Sequence, residues 1–215
     1  MALPWIGWGR ATAGRCSNTR PVVSKFNAWR YAQPVSEFPA EQLETERLLL
    51  RIPRMSDARE IFASYAADPV VSRYMLWEPH GDMSETHLFV ASIIHSWRSA
   101  DEERPWVIIR QQDNALLGMV SATVTGHMVE IGYVLGRAFW NQGYTTEALQ
   151  VVVDSALADP RIYRLSATVA PENPASARVL EKTGFKREAT LARYHIFPAL
   201  GPEPRDTWLY SNTRP

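Results

Sequence analysis

The amino-acid sequence predicts an α/β domain built around a mixed, mostly antiparallel sheet. Between residues 106 and 135, three apolar and β-branched runs follow one another across short turns, as antiparallel neighbours do. The last of these runs leads through a turn with one glycine into apolar residues at helical spacing. With the flanking segments, the predicted order is β-αα(α)-βββ-α-β-α-ββ, and the sequence contains no internal repeat.

The first half of the domain contains one predicted strand and two or three helices. Arg47–Ile52 is bounded like a strand. Ser56 is expected to cap a helix that ends before residue 69, and a short second helix can include residues 70–74. Ser84 is expected to cap a longer helix. The apolar stripes of the first and last of these helices comprise Ala58, Ile61, Phe62 and Tyr65, and Phe89, Val90, Ile93, Ile94 and Trp97.

The second half carries the remaining strands and two helices. The strands are predicted at Trp106–Arg110, Leu116–Thr125, Met128–Leu135, Tyr163–Val169, Phe185–Ile196 and Asp206–Ser211. The first helix starts near Gly143. The second helix has Asn173 as its N-cap, Pro174 at its first position and Gly184 just past its end, an arrangement typical of helix boundaries.

Composition argues against several classes of protein. The 23 basic and 23 acidic residues cancel, which disfavours general nucleic-acid binding. A single cysteine, Cys16, allows neither an intrachain disulfide nor a cysteine-based metal site, and it fits a reducing cytoplasm. The five histidines lack metal-site spacing, and no apolar run reaches the ~18 residues of a membrane span. We therefore expect a cytoplasmic protein without metal, nucleic-acid or membrane partners.

Residues 1–40 differ from the rest of the chain. Five basic residues precede the first acidic one, Glu37, and glycine, serine and proline interrupt any periodicity. A basic, acid-poor leader is compatible with a transit peptide, whereas the missing continuous apolar segment disfavours a secretory signal. We expect a poorly ordered tail over residues 1–40 and a folded domain over residues 41–215.

The stretch from Arg137 to Leu149 is the main candidate for a binding site. It joins a strand to a helix through a turn that contains Gly143. The free backbone N–H groups and the positive dipole end at a helix start suit an anion, typically a phosphate. No Lys or Arg lies between Arg137 and Glu147, so backbone groups are expected to carry most of the recognition of this anion.

Four local patterns follow one another in an order that matches a known family. They are Thr45-Glu-Arg-Leu-Leu-Leu-Arg51 with Ser56-Asp-Ala58, Glu130-Ile-Gly-Tyr133 with Trp140-Asn-Gln-Gly-Tyr-Thr-Thr-Glu-Ala-Leu149, Asn173-Pro-Ala-Ser176 with Leu180-Glu-Lys-Thr-Gly-Phe185, and Pro204-Arg-Asp-Thr-Trp-Leu-Tyr210. Together they resemble the GNAT acyltransferases, and within them the RimJ/RimL-like branch, over about Glu44 to Arg214. The resemblance implies a GNAT fold, with a central sheet splayed at the cofactor site and flanked by helices. It also implies acetyl-CoA (acetyl-coenzyme A) as co-substrate and direct attack by a primary amine.

The acceptor that the resemblance implies first is a protein N-terminal amine, of the ribosomal-protein type. A small amine such as an amino acid, a polyamine or a drug is the alternative. A coenzyme A-binding regulatory module without catalysis is a third possibility. The segment with Tyr74, Trp77 and Glu78 would contribute to the acceptor groove, where Glu78 and Asp82 could attract a cationic amine. Both a monomer and a homodimer are compatible with the sequence.

The resemblance further implies three groups of cofactor-binding residues. The pantetheine arm would meet backbone groups of Tyr133, Val134 and Leu135, although the side chain of Tyr133 is equally compatible with a core position. The pyrophosphate would accept hydrogen bonds from the N–H groups of Gln142, Gly143, Tyr144, Thr145 and Thr146. Asn173 and Ser176 would contact the cofactor, or would only cap the helix that follows them.

Glu130 is the candidate general base for the acceptor amine. Strand alternation places Glu130, Gly132 and Val134 on one face. A carboxylate there lies either at a cavity, where burial would raise its pKa toward a useful range, or on a solvated face. Leu180 replaces the tyrosine that many family members use to protonate the leaving thiolate, so the general acid is unassigned. His195 is a further candidate near the acceptor cleft.

Overall fold

The computed structural model describes residues 38–99 and 103–214, so the predicted leader lies almost entirely outside the described residues, Cys16 included. Within them, eight strands form one sheet in the order β1-β2-β3-β4-β5-β6-β8-β7. The strands span Gln42–Glu44 (β1), Leu48–Arg51 (β2), Glu103–Arg110 (β3), Leu116–Thr125 (β4), Met128–Leu135 (β5), Arg164–Val169 (β6), Lys186–His195 (β7) and Arg205–Thr213 (β8). All neighbours are antiparallel except β5 and β6, which confirms the predicted mixed, mostly antiparallel sheet.

Helices flank this sheet on both faces. The α-helices in the described ranges span Ala58–Ile61 (α1), Met83–Arg98 (α2), Tyr144–Ala158 (α3) and Pro174–Lys182 (α4). A π-helical turn over Phe62–Ala66 continues α1, and short 3-10 turns lie at Met55–Asp57, Ser72–Tyr74, Arg137–Phe139 and Pro198–Leu200. The predicted second helix over residues 70–74 is therefore one short turn, and β1 is a strand that the sequence pattern does not predict.

The core is divided between the two faces of the sheet. The larger apolar cluster lies on the α3 and α4 side and includes Leu149 and Leu180. The smaller cluster lies on the α1 and α2 side and includes Ile61 and Ile93. A sheet with two apolar faces needs cover on both, which is why the helices are distributed in this way. Packing reaches back to residues 38–40, because Phe38 is buried and Ala40 accepts a hydrogen bond from the Trp106 indole at 2.9 Å.

Two helix starts differ from the prediction. Ser56 does not act as a cap; instead, the Asp57 carboxylate accepts a hydrogen bond from the Arg54 backbone N–H at 2.7 Å. At α2 the cap is Asp82, whose carboxylate accepts from the backbone N–H groups of Ser84 and Glu85 at 2.6 and 3.1 Å. At α2 the ionised Asp82 carboxylate is a stronger acceptor than a serine hydroxyl at the positive end of the helix.

The boundaries of α4 follow the prediction. The side-chain oxygen of Asn173 accepts the backbone N–H of Ser176 at 3.2 Å, and Pro174 occupies the first helical position. At the other end, Gly184 has a φ of +85°. The Phe185 N–H then reaches the Leu180 carbonyl at 3.0 Å and closes the helix. These are local signals, so the sequence pattern is sufficient to predict them.

Candidate active site

The sheet opens between β5 and β6. The two strands pair only over residues 128–130, opposite residues 164–166. Beyond Glu130, the backbone groups of β5 that point away from β4 have no partner on β6. The Tyr133 hydroxyl reaches across the opening to α4, where it lies 2.8 Å from Ser176 Oγ and donates to the Ser176 carbonyl at 3.1 Å. The splay that the resemblance implies is therefore present, and a pair of hydroxyl groups spans it.

The chain turns from β5 into α3 with Gly143 as the N-cap. Gly143 has a φ of +81°, a left-handed conformation that other residues adopt only with strain. Because glycine offers no side chain to cap the helix, the first N–H groups of α3, those of residues 143–146, are left for another acceptor. The turn thus combines a glycine N-cap with an uncapped helix start, the arrangement that suits an anion.

Arg47, to which the sequence analysis assigns no role, lies against the start of α3. Its Nη1 donates to the Gln142 carbonyl at 3.2 Å, and its Nε and Nη2 each lie 2.6 Å from Glu147 Oε2. Its guanidinium also lies over the Tyr144 ring, 4.5 Å from the centroid. Since Arg47 and Glu147 are 100 residues apart, no local pattern reveals this contact. The only sequence signal is the place of Arg47 in the opening Thr-Glu-Arg-Leu pattern.

The bond from Arg47 orients the peptide unit that precedes α3. In a trans peptide the carbonyl and the N–H point in opposite directions. The Gln142 carbonyl points toward Arg47, so the N–H of Gly143 in the same peptide unit points away from it. The side-chain amide of Gln142 is engaged as well, donating to the Ala138 carbonyl at 3.0 Å. The turn is therefore held in one orientation from both sides.

Glu147 completes this arrangement from the first turn of α3. Thr45 Oγ1 donates to its carboxylate at 2.5 Å and the Arg47 backbone N–H does so at 3.1 Å, in addition to the guanidinium. Partial burial acts to raise the pKa of Glu147, but these hydrogen bonds prevail and hold the pKa below its usual value. The ionised carboxylate neutralises Arg47, so the start of α3 presents backbone donors rather than a free cationic side chain.

Two of the predicted cofactor contacts already have partners within the protein. The Asn173 cap uses the carbonyl oxygen of its side chain and not the amide nitrogen. The Leu135 carbonyl accepts the indole N–H of Trp140 at 2.7 Å. Trp140 thereby ties the turn back to the end of β5.

Glu130 is the last residue of β5 that pairs with β6. It is half-buried, and burial raises the pKa of its carboxyl above the usual value. Gly132 and Val134 line a cavity on the α1 and α2 side of the sheet, as the predicted alternation requires. Glu130 itself is not among the lining residues, and it lies two residues, or about 7 Å along the strand, from Gly132.

The cavity is open to solvent, and it measures about 460 Å³ when the solvent-filled space at its mouth is included. Its walls come from β4, β5, α2, the π-helical turn and the segment of residues 75–80 before α2, with aromatic side chains from Tyr65, Trp77 and Phe89. Trp77, which is predicted to contribute to the acceptor groove, lines this cavity. Glu78 and Asp82, the acidic residues expected to attract a cation, are exposed and do not line the cavity, and the Asp82 carboxylate is engaged in capping α2.

The remaining candidates take different places. His195 is buried, and its Nε2 lies 3.0 Å from Thr168 Oγ1 on β6. Burial lowers the pKa of His195, so its imidazole is neutral near pH 7. Leu180 is fully buried in the larger apolar cluster and has no proton to donate. The crevice is spanned instead by the hydroxyl groups of Tyr133 and Ser176.

Residues 38–99 and 103–214 contain no helix with the length and apolar character needed to cross a membrane. Over the same residues, no group of three or more His, Cys, Asp or Glu side chains could hold a metal ion.

Comparison with known proteins agrees with this geometry. Residues 47–186 match the acetyltransferase (GNAT) domain family. An uncharacterized N-acetyltransferase, p20 of Bacillus licheniformis, is 31% identical over 156 residues, which cover 72% of this chain and 87% of the relative. The ribosomal protein uS5-alanine N-acetyltransferase of Escherichia coli is 25% identical over 171 residues, covering 74% of this chain and 85% of that protein.

A solved structure supports the same assignment. Mycobacterium smegmatis RimJ in complex with CoA-disulfide aligns with a TM-score of 0.66 and 25% identity, over 77% of this chain and 81% of that one. The family match covers more than half of the chain, and it includes the opened β5 strand and the start of α3. The chain therefore belongs to the GNAT acetyltransferases, acyltransferases that use acetyl-CoA to acetylate an amine.

Proposed function

We propose that this acetyltransferase acetylates a protein N-terminal amine, with Glu130 as the group that accepts the amine proton. The observation that carries the proposal is the opening of the sheet directly after Glu130. Three features therefore follow one another along a single segment of the chain. They are the half-buried Glu130 carboxylate, the edge of β5 that is not paired with β6, and, after one turn, the uncapped start of α3. Residues 130–146 would then supply the base for the amine, the strand edge that binds the pantetheine arm and the site for the diphosphate.

The cofactor would lie along this segment. The diphosphate accepts hydrogen bonds from the N–H groups of residues 143–146, at the positive end of α3. The pantetheine arm follows residues 133–135 of β5, and Asn173 and Ser176 of α4 form the opposite wall of the crevice. Glu147 neutralises Arg47, so backbone N–H groups would supply the hydrogen bonds to the diphosphate.

The chemistry needs a proton acceptor for the amine and a proton donor for the thiolate. In the proposed reaction, Glu130 removes a proton from the amine, directly or through one water, and the amine nitrogen attacks the thioester carbonyl. The C–S bond then breaks and the acetyl group stays on nitrogen. The Tyr133 hydroxyl, bonded to Ser176 at 2.8 Å, gives its proton to the thiolate in place of the absent tyrosine on α4.

The assignment of the acceptor draws on the relatives. The E. coli relative is named for an alanine of ribosomal protein uS5, and the solved neighbour is a RimJ. The proposal therefore places this chain in the RimJ/RimL-like branch and in the cytoplasm. The 3-10 turns at residues 72–74 and 198–200 contact each other, and we place the acceptor beside them.

The experiment compares the wild-type enzyme with Glu130→Gln. Removal of a general base is expected to lower kcat by about 100-fold. Affinity for acetyl-CoA, measured by calorimetry, should stay within about twofold because the base does not touch the cofactor diphosphate. Glu60→Gln, at an exposed position in α1, is the matched control and should retain activity. A kcat close to wild type for Glu130→Gln would remove Glu130 from the mechanism.

The acceptor is tested separately with a panel of amines. The panel contains peptides with a free N-terminus, the same peptides with a blocked N-terminus, and small amines such as spermidine and single amino acids. We expect acetylated product, detected by mass spectrometry, from the free-N-terminus peptides only. Product from the small amines alone would contradict the N-terminal assignment and leave the acetyl transfer itself intact.

A further inference from the structure

The cavity beside β5 has walls of uncharged side chains. Tyr65, Trp77 and Phe89 supply aromatic surface, and Met75 and Met119 supply thioethers. None of the lining residues is Asp, Glu, Lys or Arg. A charged group that enters such a site loses its hydration without meeting a side chain of opposite charge, whereas an apolar group gains from leaving water.

His80 is the titratable imidazole of this lining, and its surroundings keep it neutral. Its ring lies between those of Trp77 and Phe89, at centroid distances of 5.7 and 5.6 Å. Its Nδ1 is 2.8 Å from Thr86 Oγ1. Burial lowers the pKa of His80, although the nearby Glu85 acts in the opposite direction. The cavity therefore has no net charge near pH 7.

The hydroxyl of Tyr65 is a second, independent sign of a ligand. Tyr65 lies in the π-helical turn after α1, and only 1% of its surface is exposed. Within the described residues, its hydroxyl has no hydrogen-bond partner. Buried polar groups are nearly always paired, so an unpaired one at a cavity points to an atom that a ligand brings. π-helical turns of this kind are frequent at functional sites.

The cavity is also in the right place for an acceptor. Gly132 and Val134 form its wall on the side of the crevice, and they follow Glu130 on the same face of β5. A molecule whose amine lies beside Glu130 would therefore extend its neighbouring substituent into this space. The substituent would meet the aromatic walls, and an adjacent oxygen could accept a hydrogen bond from Tyr65.

We propose that this cavity receives the uncharged, apolar side chain attached next to the acceptor amine, and that the Tyr65 hydroxyl donates to an oxygen of the same acceptor. The inference rests on the proposed function and names its substrate class. The enzyme prefers N-termini that begin with a residue such as leucine, methionine or phenylalanine. It discriminates against N-termini that begin with aspartate, glutamate, lysine or arginine.

The first test uses peptides that differ only in their first residue. For wild-type enzyme we expect kcat/KM for peptides that begin with leucine or phenylalanine to exceed that for aspartate and lysine by about 30-fold or more. Equal or better turnover of the charged peptides overturns the inference while the proposed N-terminal acetylation stands. Acetylation of none of the peptides overturns both.

Two variants tie the preference to the cavity. Met75→Glu introduces a carboxylate at a half-buried lining position. It should raise the ratio of kcat/KM for the lysine peptide to kcat/KM for the leucine peptide by about 10-fold. Met55→Glu makes the same change at an exposed position outside the cavity and should leave the ratio as in wild type. An unchanged ratio in Met75→Glu overturns the placement of the side chain.

Tyr65→Phe removes the hydroxyl and keeps the ring. We expect KM for the leucine peptide to rise by about 5-fold, with affinity for acetyl-CoA unchanged and the thermal midpoint equal or higher, because an unpaired buried group is lost. Tyr163→Phe, at an exposed position, is the control. A purely structural role for Tyr65 would change the thermal midpoint and leave KM as it is, and that result overturns the assigned hydrogen bond.

Discussion

Arg47 and Glu147 are joined by two contacts of 2.6 Å between the guanidinium and Glu147 Oε2. The pair links the start of β2 to the first turn of α3, across 100 residues of sequence. The same guanidinium holds the Gln142 carbonyl, so the ion pair also determines which way the Gly143 N–H points. Its energetic value as a partly exposed salt bridge is small, about 1 kcal/mol or less. Its main effect is therefore to orient the turn.

Loss of this pair should weaken binding of the cofactor diphosphate. We expect Arg47→Gln to lower affinity for coenzyme A by roughly tenfold, and affinity for acetylpantetheine, which lacks the diphosphate, to stay unchanged. Arg59→Gln, at an exposed position in α1, is the matched control. Because Arg47 acts through Glu147 and Gln142, Glu147→Gln should cause a similar loss, and the double variant should be no worse than either single one. Calorimetry of the wild-type protein and these four variants checks this, and additive losses in the double variant would contradict the coupling.

Gly143→Val should disturb the same turn through its backbone. The added Cβ would lie 3.5 Å from Arg47 Nη2, an ordinary contact, so the cost comes from the φ of +81°. A β-branched residue in that conformation costs about 1–2 kcal/mol and shifts the N–H groups of the helix start. We expect weaker coenzyme A binding by calorimetry together with a lower thermal midpoint.

Gly126→Val is the control for that variant. Gly126 also has a positive φ, +61°, and nothing lies within 4 Å of the Cβ position. It belongs to the turn between β4 and β5, away from α3. It should lower stability by a similar amount and leave cofactor affinity unchanged. Unchanged cofactor affinity in Gly143→Val would remove the turn from the phosphate site.

Activity should depend on pH through Glu130. The carboxyl acts as a base only when it is ionised, and burial raises its pKa above that of an exposed glutamate. At saturating acceptor, kcat should therefore fall as the pH drops through the raised pKa, and Glu130→Gln should lose this limb of the profile. If kcat of Glu130→Gln still fell over the same pH range and by the same factor, the pH dependence would belong to another group.

The same raised pKa affects stability. A carboxyl whose folded-state pKa lies above its unfolded value contributes stability below the unfolded pKa, and this contribution is lost as the pH rises through the folded pKa. The ionised form of Glu130 is thus a cost near pH 7. We expect Glu130→Gln to raise the free energy of unfolding at pH 7 relative to wild type, with the difference smaller at pH 4. Urea denaturation at the two pH values measures it.

Tyr133→Phe should lower the rate of the reaction while it leaves acetyl-CoA binding largely intact. Burial raises the pKa of Tyr133, which keeps its hydroxyl protonated and also makes it a weaker acid than an exposed tyrosine. Without it, we expect kcat to fall by roughly tenfold, with acetyl-CoA affinity changed by no more than about threefold. The lost bond to Ser176 should also cost about 1 kcal/mol of stability. Tyr163→Phe is the exposed control, and a wild-type kcat in Tyr133→Phe would exclude it as the proton donor.

Much of the fold follows from local sequence signals. The bounds of β4 and β5 agree with the prediction from their apolar runs and turns, and both ends of α4 agree with the predicted asparagine cap and terminal glycine. The single glycine in the turn before α3 adopts the left-handed conformation that makes it an N-cap. These features depend on neighbours within a few residues, which is why periodicity and turn chemistry are enough to recognise them.

The site depends on the tertiary structure in three respects. Arg47 contacts the turn before α3 from a distant part of the chain, whereas the residues of the turn alone predict that backbone groups carry most of the anion recognition. The β5 strand loses its pairing with β6 after Glu130, although the apolar run continues to Leu135 without a break and stays paired with β4. The cavity draws its walls from five separate segments of the chain. Contacts between distant segments leave no periodic pattern in the sequence. The sequence therefore indicates which cofactor binds, whereas the cavity beside β5 forms only when α2, the π-helical turn and residues 75–80 pack against that strand.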